Sequence, residues 1–355
     1  MFSKWGNKFQ LLVRRKPSPD GLFIKVKKLL SVVVAAFLAV GSLTACSSAG
    51  ANGKNKIKIV TTIFPEYDWV MNVLGENPAG AEVTMLLDNG VDLHSFQPTA
   101  TDIMKISSCD LFVYVGGESD DWVEDALKEA TNKDMVVINL LDVLGDKVKE
   151  EEIVEGMQGE DEDHDHDHED HHEEGEIEYD EHVWLSLRNA QVLVQRISDA
   201  MQKIDSANAA TYKKNSDSYI ESLKSLDNDY KAVVDAASNK TILFGDRFPF
   251  RYMVDDYGLT YFAAFAGCSA ESEASFETIT FLSKKVDELK LPVVLTIEGK
   301  DHRIAETIVQ NTASKDQKIM TLDSMQSAST ADYKGGTTYL FIMKANLSVL
   351  TEALK

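Results

Sequence analysis

Histidine and carboxylate side chains are concentrated in one stretch of this chain, between residues 161 and 182. Six of its eight histidines lie there: His164, His166, His168, His171, His172 and His182. Neutral imidazole combined with ionised carboxylate suits zinc and other borderline divalent metals. The runs of Asp, Glu and His contain no apolar residues, which is also the composition of a solvated loop. We therefore expect a flexible acidic loop over residues 150–181, in which the histidines from His164 to His172 bind metal with low affinity.

The negative charge of the chain is largely local. Of its 58 acidic residues, 18 lie between Glu150 and Glu181 with no Lys or Arg among them, and the net charge is −22. Both the local and the overall charge argue against nucleic acid as a partner. A length of 355 residues with 44% hydrophobic content is sufficient for two domains of ordinary size.

The first 45 residues have the pattern of an export signal. Three lysines precede an apolar run over residues 29–43, which is short for a membrane span of ~20 residues, although an uncleaved anchor is the alternative. The run ends in Leu43-Thr44-Ala45-Cys46, which resembles the lipobox of bacterial lipoproteins. The resemblance implies a signal peptide over residues 1–45 and lipidation of Cys46. A tether over residues 46–56 then holds an extracytoplasmic protein at the bacterial cell membrane.

Two further cysteines, Cys109 and Cys268, follow Cys46 in the chain. An extracytoplasmic location permits a disulfide, but two cysteines without a spacing pattern do not require one. We interpret both side chains as buried thiols.

Strand and helix patterns alternate before the acidic loop, which indicates βαβ units with a parallel sheet. The predicted strands are Ile57–Ile63, Glu82–Leu87, Leu111–Gly117 and Met135–Leu140. His94 lies in the loop after the second strand, and Thr99 and Asp102 form a predicted capping box for the helix that follows. Ligands of open α/β sheets bind at this edge. A single loop histidine is nevertheless more often structural.

A second series of strand and helix patterns begins at Thr241, after a long segment without Gly or Pro. Apolar and aromatic residues at spacings of three and four predict a helix ~37 Å long in that segment. They are Tyr212, Tyr219, Leu223, Leu226, Tyr230 and Val233. We expect an N-terminal lobe over residues 57–190, connector helices over 191–240 and a C-terminal lobe over 241–355.

Several short motifs follow one another along the chain. They are His94–Thr99 with Asp102 and Lys105, Asp110–Gly117, the histidine-rich insertion, Glu181–Leu185, Asn189-Ala190, Phe250 and Tyr252, Tyr257–Leu259, Gly267–Ser275 and Leu322-Asp323. Each motif is weak alone, but the ordered set resembles the metal-binding solute-binding proteins of bacterial ABC importers, the zinc and manganese group. The resemblance implies an α/β fold in which two βα lobes with parallel sheets are joined by one long connector helix. It also implies that the metal lies in the interlobe cleft.

The resemblance also implies that each lobe supplies two metal ligands. His94 and His182 match the two ligands of the N-terminal lobe. Asp323 matches the carboxylate ligand near the C-terminus.

The third ligand position is where this chain departs from the family. The family usually has His or Glu there, whereas this chain has Arg247, whose guanidinium carries donors only and stays protonated. We therefore favour Asp246, one residue earlier, as the third ligand. Glu298 and a water molecule are the alternatives, and Asp246 can instead pair with a neighbouring arginine or backbone amide.

These features predict metal capture rather than catalysis. Two imidazoles with one or two carboxylates suit zinc better than the harder ions that prefer all-oxygen sites. We expect a monomeric protein that binds Zn²⁺ as transported ligand and delivers it to an ABC importer permease. A manganese-binding protein of the same type is one alternative. A secreted zinc-dependent hydrolase is another, but the helical HExxH signature is absent.

Overall fold

A computed structural model of the protein describes residues 56–158, 178–269, 273–299 and 301–355. The predicted signal peptide, Cys46 and the tether up to residue 55 lie outside the described residues, as do His164, His166, His168, His171 and His172. Within the described ranges, no helix is both long enough and apolar enough to cross a membrane.

The N-terminal lobe is built on a parallel sheet, which has four strands in the described residues and the order β2-β1-β3-β4. The strands are short apolar runs, and helices make the crossovers that parallel pairing requires. The strands are β1 Lys58–Thr61, β2 Glu82–Met85, β3 Leu111–Tyr114 and β4 Val136–Asn139. The helices are α1 Phe64–Leu74, α2 Ala100–Ser107, α3 Trp122–Lys128 and α4 Leu140–Leu144. Helix α2 begins with the predicted capping box, in which Thr99 and Asp102 each accept a hydrogen bond from the other's backbone amide.

Two helices follow the N-terminal sheet and pack against each other: α5 Leu187–Ile204 and α6 Ala209–Ala236. Helix α6 has 28 residues and is therefore ~42 Å long. The predicted apolar stripe is buried along α6, with Val234 buried in place of Val233.

Helix α6 is hydrogen-bonded to both lobes through two buried tyrosines. The Tyr219 hydroxyl donates to Asp68 Oδ2 in α1 at 2.8 Å. The Tyr230 hydroxyl donates to the backbone carbonyl of Met343 at 2.6 Å. Since Met343 belongs to the last helix of the C-terminal lobe, α6 is the long connector that the sequence predicts.

The C-terminal lobe repeats the strand order of the first, with the parallel order β6-β5-β7-β8 in its described residues. Its strands are β5 Thr241–Phe248, β6 Thr260–Ala266, β7 Val293–Thr296 and β8 Lys318–Thr321. Its helices are α7 Arg251–Tyr257, α8 Phe276–Leu289, α9 Arg303–Asn311, α10 Thr330–Lys334 and α11 Tyr339–Ala353. The predicted α/β fold of two parallel-sheet lobes with a long connector helix is confirmed.

Strand β5 is irregular near its end, where its register with β6 shifts between Phe244 and Arg247. Gly245 lies within this shift, and a Cβ there would come within 2.6 Å of the Ala305 Cα in α9. Only glycine therefore allows α9 to pack this closely against the strand. The irregular end of β5 carries Asp246 and Arg247, two residues that the sequence places at the third ligand position.

The two ends of the predicted acidic loop contact each other and the C-terminal lobe. Glu150 forms a β-bridge with Tyr179, and Gln158 forms one with Phe265 of β6. The carboxylate of Glu151 accepts a hydrogen bond from the backbone amide of Cys268 at 3.0 Å. These contacts differ from the expectation of a flexible loop over the whole of 150–181. Residues 159–177 lie outside the described residues.

Candidate metal centre

His94 lies in a single 3-10 turn, Leu93–Ser95, that follows the C-terminal end of β2. The Asp92 carboxylate caps this turn by accepting from the His94 backbone amide at 3.1 Å. The Nδ1 atom of His94 is hydrogen-bonded to the Ser119 hydroxyl at 2.8 Å and lies 3.5 Å from Glu181 Oε2. With Nδ1 engaged on one side, the imidazole presents Nε2 to the interior of the cleft.

His182 is fully buried and immediately precedes the short turn Val183–Leu185. Asp180 Oδ1 accepts from the His182 backbone amide at 2.8 Å and lies 3.1 Å from His182 Nδ1. A carboxylate at one imidazole nitrogen fixes the ring and leaves the other nitrogen for a metal. The carboxylate of Asp180 therefore orients His182 in the way that a metal-binding histidine requires.

The two imidazoles meet although 88 residues separate them in the chain. The Nε2 atoms of His94 and His182 are 3.3 Å apart. Two nitrogens bound at ~2.0–2.1 Å to one tetrahedral zinc ion would lie roughly 3.3 Å apart. The observed separation therefore matches a pair of ligands to a single ion.

The electrostatics at His94 favour neutral imidazole, which is the form that binds metal. Burial, and then the proximity of His182, lower the pKa of His94 to about 4. Arg247 acts in the same direction, whereas Asp92 and Asp180 act in the opposite one. At neutral pH the Nε2 lone pair of His94 is therefore available without loss of a proton.

Cys268 brings a third side chain of a type that can bind metal to this point. It lies in the loop after β6, and its sulfur and the imidazole nitrogens of His94 and His182 all lie within 4.8 Å of one another. Among the described residues, these three form the only such group of His, Cys, Asp and Glu. Burial, followed by the charge of Glu151, raises the pKa of the Cys268 thiol. The interpretation of Cys268 as a simple buried thiol therefore missed its position beside the histidines.

The carboxylates expected from the C-terminal lobe do not join this group in the described residues. Asp246 accepts hydrogen bonds from the backbone amides of Arg247 at 2.9 Å and Ile297 at 3.2 Å. Asp323 accepts from the backbone amide of Met325 at 2.7 Å, and burial, with the charge of Glu298, raises its pKa to about 6. Ligation by Asp246 or Asp323 would require these carboxylates to approach the histidines more closely, and it stays a prediction.

Glu298, the alternative third ligand, is engaged in the loop after β8. Its carboxylate accepts from the Ser324 amide at 2.6 Å, the Ser324 hydroxyl at 2.8 Å and the Gln326 amide at 2.9 Å. Three hydrogen bonds of this kind hold Ser324 and Gln326 in place. In this structure Glu298 shapes the loop that reaches the cleft.

Arg247 and Gln326 cross the cleft to Asp92 beside the histidine pair. Arg247 Nη2 lies 2.8 Å from Asp92 Oδ2. In the amide orientation of Gln326 that suits its neighbours, Nε2 donates to the Asp92 oxygens at 2.7 and 2.9 Å, and Oε1 lies 3.2 Å from His182 Nε2. Burial alone would raise the pKa of Asp92, but the charge of Arg247 brings it below its usual value.

A cavity of about 670 Å³ lies next to the metal-binding group, between the two lobes. Asp92 and Ser95 of the N-terminal lobe line it together with Arg247, Glu273 and Arg303 of the C-terminal lobe. Asp92 and Arg247 therefore border both the cavity and the histidine pair.

Comparison with known sequences gives relatives that carry zinc in their names. Residues 59–353 match the family described as "ZnuA: Zinc-uptake complex component A periplasmic". The zinc-binding protein AdcA of Streptococcus pyogenes serotype M3 is 30% identical over 332 residues, which cover 92% of this chain and 61% of AdcA. The chain thus spans less than two thirds of that relative. The high-affinity zinc uptake system protein ZnuA of Bacillus subtilis is 31% identical over 92% of this chain and 97% of that protein.

Solved structures agree with the sequence relatives. The Zn(II)-bound ZnuA-like domain of Streptococcus pneumoniae AdcA matches with a TM-score of 0.64 and 28% identity, over 84% of this chain and 99% of that chain. The metal-dependent lipoprotein YcdH of Bacillus subtilis matches with a TM-score of 0.67 and 27% identity over the same shares. The family match takes in both lobes and the connector between them, so this chain belongs to the ZnuA family of zinc-uptake complex components.

Proposed function

We propose that this protein binds zinc between its lobes and delivers it to the membrane permease of an ABC importer. The observation that carries the proposal is the pair of Nε2 atoms of His94 and His182, 3.3 Å apart and each on a ring whose Nδ1 is engaged. A pair fixed in this way loses little conformational entropy when an ion binds, which favours high affinity. The zinc-binding names of the sequence relatives support zinc as the cargo.

Capture from both lobes is the physical basis for recognition of the loaded protein. His94 and His182 belong to the N-terminal lobe, whereas Gln326 and Arg247 reach the same point from the C-terminal lobe. An ion bound at this junction therefore stabilises one arrangement of the two lobes over others. A permease that binds this arrangement better than the others would select loaded molecules.

The location that fits this function is outside the cytoplasmic membrane, with the protein held by a lipid at Cys46 after removal of residues 1–45. The family description as periplasmic supports an extracytoplasmic site. A relative from Streptococcus pneumoniae is named zinc-binding lipoprotein AdcA, which supports the lipid anchor. The protein acts as a monomer in this proposal, since one chain carries both lobes and the histidine pair.

The histidine pair is tested by single substitutions in the mature protein. His94→Ala and His182→Ala should each lower zinc affinity by more than about 100-fold, because each removes one ligand. Competition with a chromophoric chelator measures the affinity, and elemental analysis should give one tightly bound zinc for the unaltered protein.

His302→Ala provides the matched control, because His302 lies outside the metal-binding group. Its zinc affinity should stay that of the unaltered protein. Tight zinc binding that survives both His94→Ala and His182→Ala would refute the proposed site.

The histidines from His164 to His172 act in this proposal as a low-affinity collector of metal. Deletion of residues 159–175 should lower the number of weakly bound zinc ions and leave one tight site. Equilibrium dialysis at increasing zinc concentrations separates the two classes. Loss of the tight site on deletion would place the main ligands in the deleted segment.

Zinc is preferred to manganese in this proposal because buried imidazoles are borderline ligands, whereas manganese favours oxygen. Competition between the two ions for the purified protein checks the preference. Equal displacement by manganese at equal concentration would contradict it.

A further inference from the structure

We propose that Cys268 is the third protein ligand, so that the cargo is held by two imidazoles and one thiolate. This inference rests on the proposed zinc-binding function of the same site. It assigns the C-terminal lobe a ligand that differs in type from the carboxylates expected at Asp246 and Asp323.

The first support is distance. The sulfur of Cys268 and the imidazole nitrogens of His94 and His182 all lie within 4.8 Å of one another. Around a tetrahedral zinc ion with Zn–S of ~2.3 Å and Zn–N of ~2.0–2.1 Å, sulfur and nitrogen lie roughly 3.6 Å apart. Movement of the Cys268 loop by about 1 Å is therefore enough to complete the coordination.

The second support is that the other candidates of the C-terminal lobe have different partners. Arg247 occupies the usual third position and is turned to Asp92. Asp246 is held by two backbone amides, and Glu298 is held by three hydrogen bonds from the loop after β8. Cys268 is thus the metal-binding side chain that the C-terminal lobe brings to the histidines.

The third support is the way the Cys268 loop is fixed. The backbone amide of Cys268 donates to Glu151 Oε1 at 3.0 Å, which ties the loop to the beginning of the acidic segment. The preceding residue, Gly267, lies against the His182 ring, and a Cβ there would come within 3.1 Å of His182 Cε1. Glycine at this position allows the loop to approach the imidazole closely enough for the next side chain to reach it.

Coordination by Cys268 is a simple exchange of a proton for the ion. The S–H bond breaks, the proton passes to the solvent, and a Zn–S bond forms without any change of oxidation state. A thiolate among the ligands favours zinc over manganese more strongly than two imidazoles alone. The ligand type therefore provides a chemical reason for selection of the cargo.

Cobalt(II) is the probe that tests the ligand directly, because thiolate bound to cobalt gives an intense charge-transfer absorption in the near ultraviolet. The unaltered protein loaded with cobalt should show this band. Cys268→Ala should lose the band and weaken zinc binding by more than about 100-fold. Cys109→Ala is the matched control and should keep both, because Cys109 is the other free cysteine and is buried in the N-terminal lobe outside the group.

Circular dichroism of the metal-free variants establishes that they fold. If Cys268→Ala does not fold, Cys268→His is used instead. This variant should bind zinc tightly but show no charge-transfer band with cobalt. Absence of the band in the unaltered protein, together with an unchanged zinc affinity of Cys268→Ala, would overturn the inference while the proposed function stands. Absence of any tight zinc in the unaltered protein would overturn both.

Discussion

The two lobes have the same strand order, yet they contribute to the metal centre in different ways. In the N-terminal lobe, each histidine has its Nδ1 atom engaged by a neighbouring side chain, Ser119 for His94 and Asp180 for His182. In the C-terminal lobe, Asp246 and Glu298 accept hydrogen bonds from neighbouring loops of the same lobe, while Arg247 extends to Asp92. The N-terminal lobe is thus the prepared half of the candidate site.

The connection of each lobe to α6 shows a similar contrast. Tyr219 bonds to an ionisable side chain, Asp68, whereas Tyr230 bonds to the neutral carbonyl of Met343. Burial raises the pKa of Asp68 to about 6 although Tyr219 and Asn72 bond to it. We therefore expect the contact of Tyr219 with Asp68 to depend on pH and the contact of Tyr230 with Met343 to be independent of it.

The largest expected effect is on the pH dependence of stability. The folded-state pKa of Asp68 lies above its value in the unfolded chain, so its contribution to stability is greatest below about pH 4 and declines as pH rises to about 6. The decline amounts to roughly 3 kcal/mol. Urea unfolding of the metal-free protein should show this loss, and Asp68→Asn should remove it. Tyr230→Phe should instead lower the free energy of unfolding by about 1 kcal/mol equally at all these pH values.

If the free energy of unfolding changed with pH in the same way for Asp68→Asn and the unaltered protein between pH 4 and 7, the expected difference between the Tyr219 and Tyr230 contacts would be contradicted.

The next effect concerns the prepared half of the site. Asp180→Asn removes the charge that orients His182, and zinc affinity should fall by about 10- to 100-fold. Asp255→Asn, which alters a half-exposed carboxylate paired with Lys149, should leave zinc affinity unchanged. Chelator competition measures both variants. If Asp180→Asn bound zinc with unchanged affinity, the Asp180 carboxylate would not be needed to orient His182 for metal binding.

The smallest effect is expected for the contact that joins the lobes across the cleft. Arg247→Gln leaves Asp92 without its guanidinium partner, which should raise the fraction of open metal-free molecules about fivefold, or about 1 kcal/mol. Hydrogen exchange at residues 92–95 measures the opening. Arg303→Gln is the control, because Arg303 pairs with Asp301 only two residues away in the same lobe. Equal exchange in the two variants would show that the cleft is held closed by other contacts.

Much of the fold could be predicted from the sequence because its periodic signals are strong. The 3/4 spacing identified α6, and the capping box at Thr99 placed the start of α2. Helices α4 and α10 were missed because five residues are too few for a helical period to emerge. The strand of Leu111 was predicted to extend to Gly117 but ends at Tyr114, since Gly116 and Gly117 adopt left-handed φ angles of 92° and 84°.

The candidate metal centre could be predicted only for the N-terminal lobe, in which His94 and His182 lie in recognisable motifs. The capping residue Asp92 and the orienting residue Asp180 lie just outside these motifs, two residues before each histidine. Cys268 lies in the motif Gly267–Ser275, but both cysteines were interpreted alike, and the fold separates the buried core thiol of Cys109 from the thiol beside the histidines. The contact of Arg247 with Asp92, 155 residues away, depends on how the lobes face each other.

The long helix α6 limits how far the two lobes can move relative to each other when the proposed ion binds. Its Tyr219 and Tyr230 hydroxyls are secured on opposite sides of the cleft, and a wide hinge motion would strand at least one buried polar group at a cost of about 1–3 kcal/mol. We therefore expect little relative movement of the two lobes. On the proposed function, binding of the ion should change chiefly the loops at the cleft, and the permease should contact the rim that carries His94, Cys268 and Gln326.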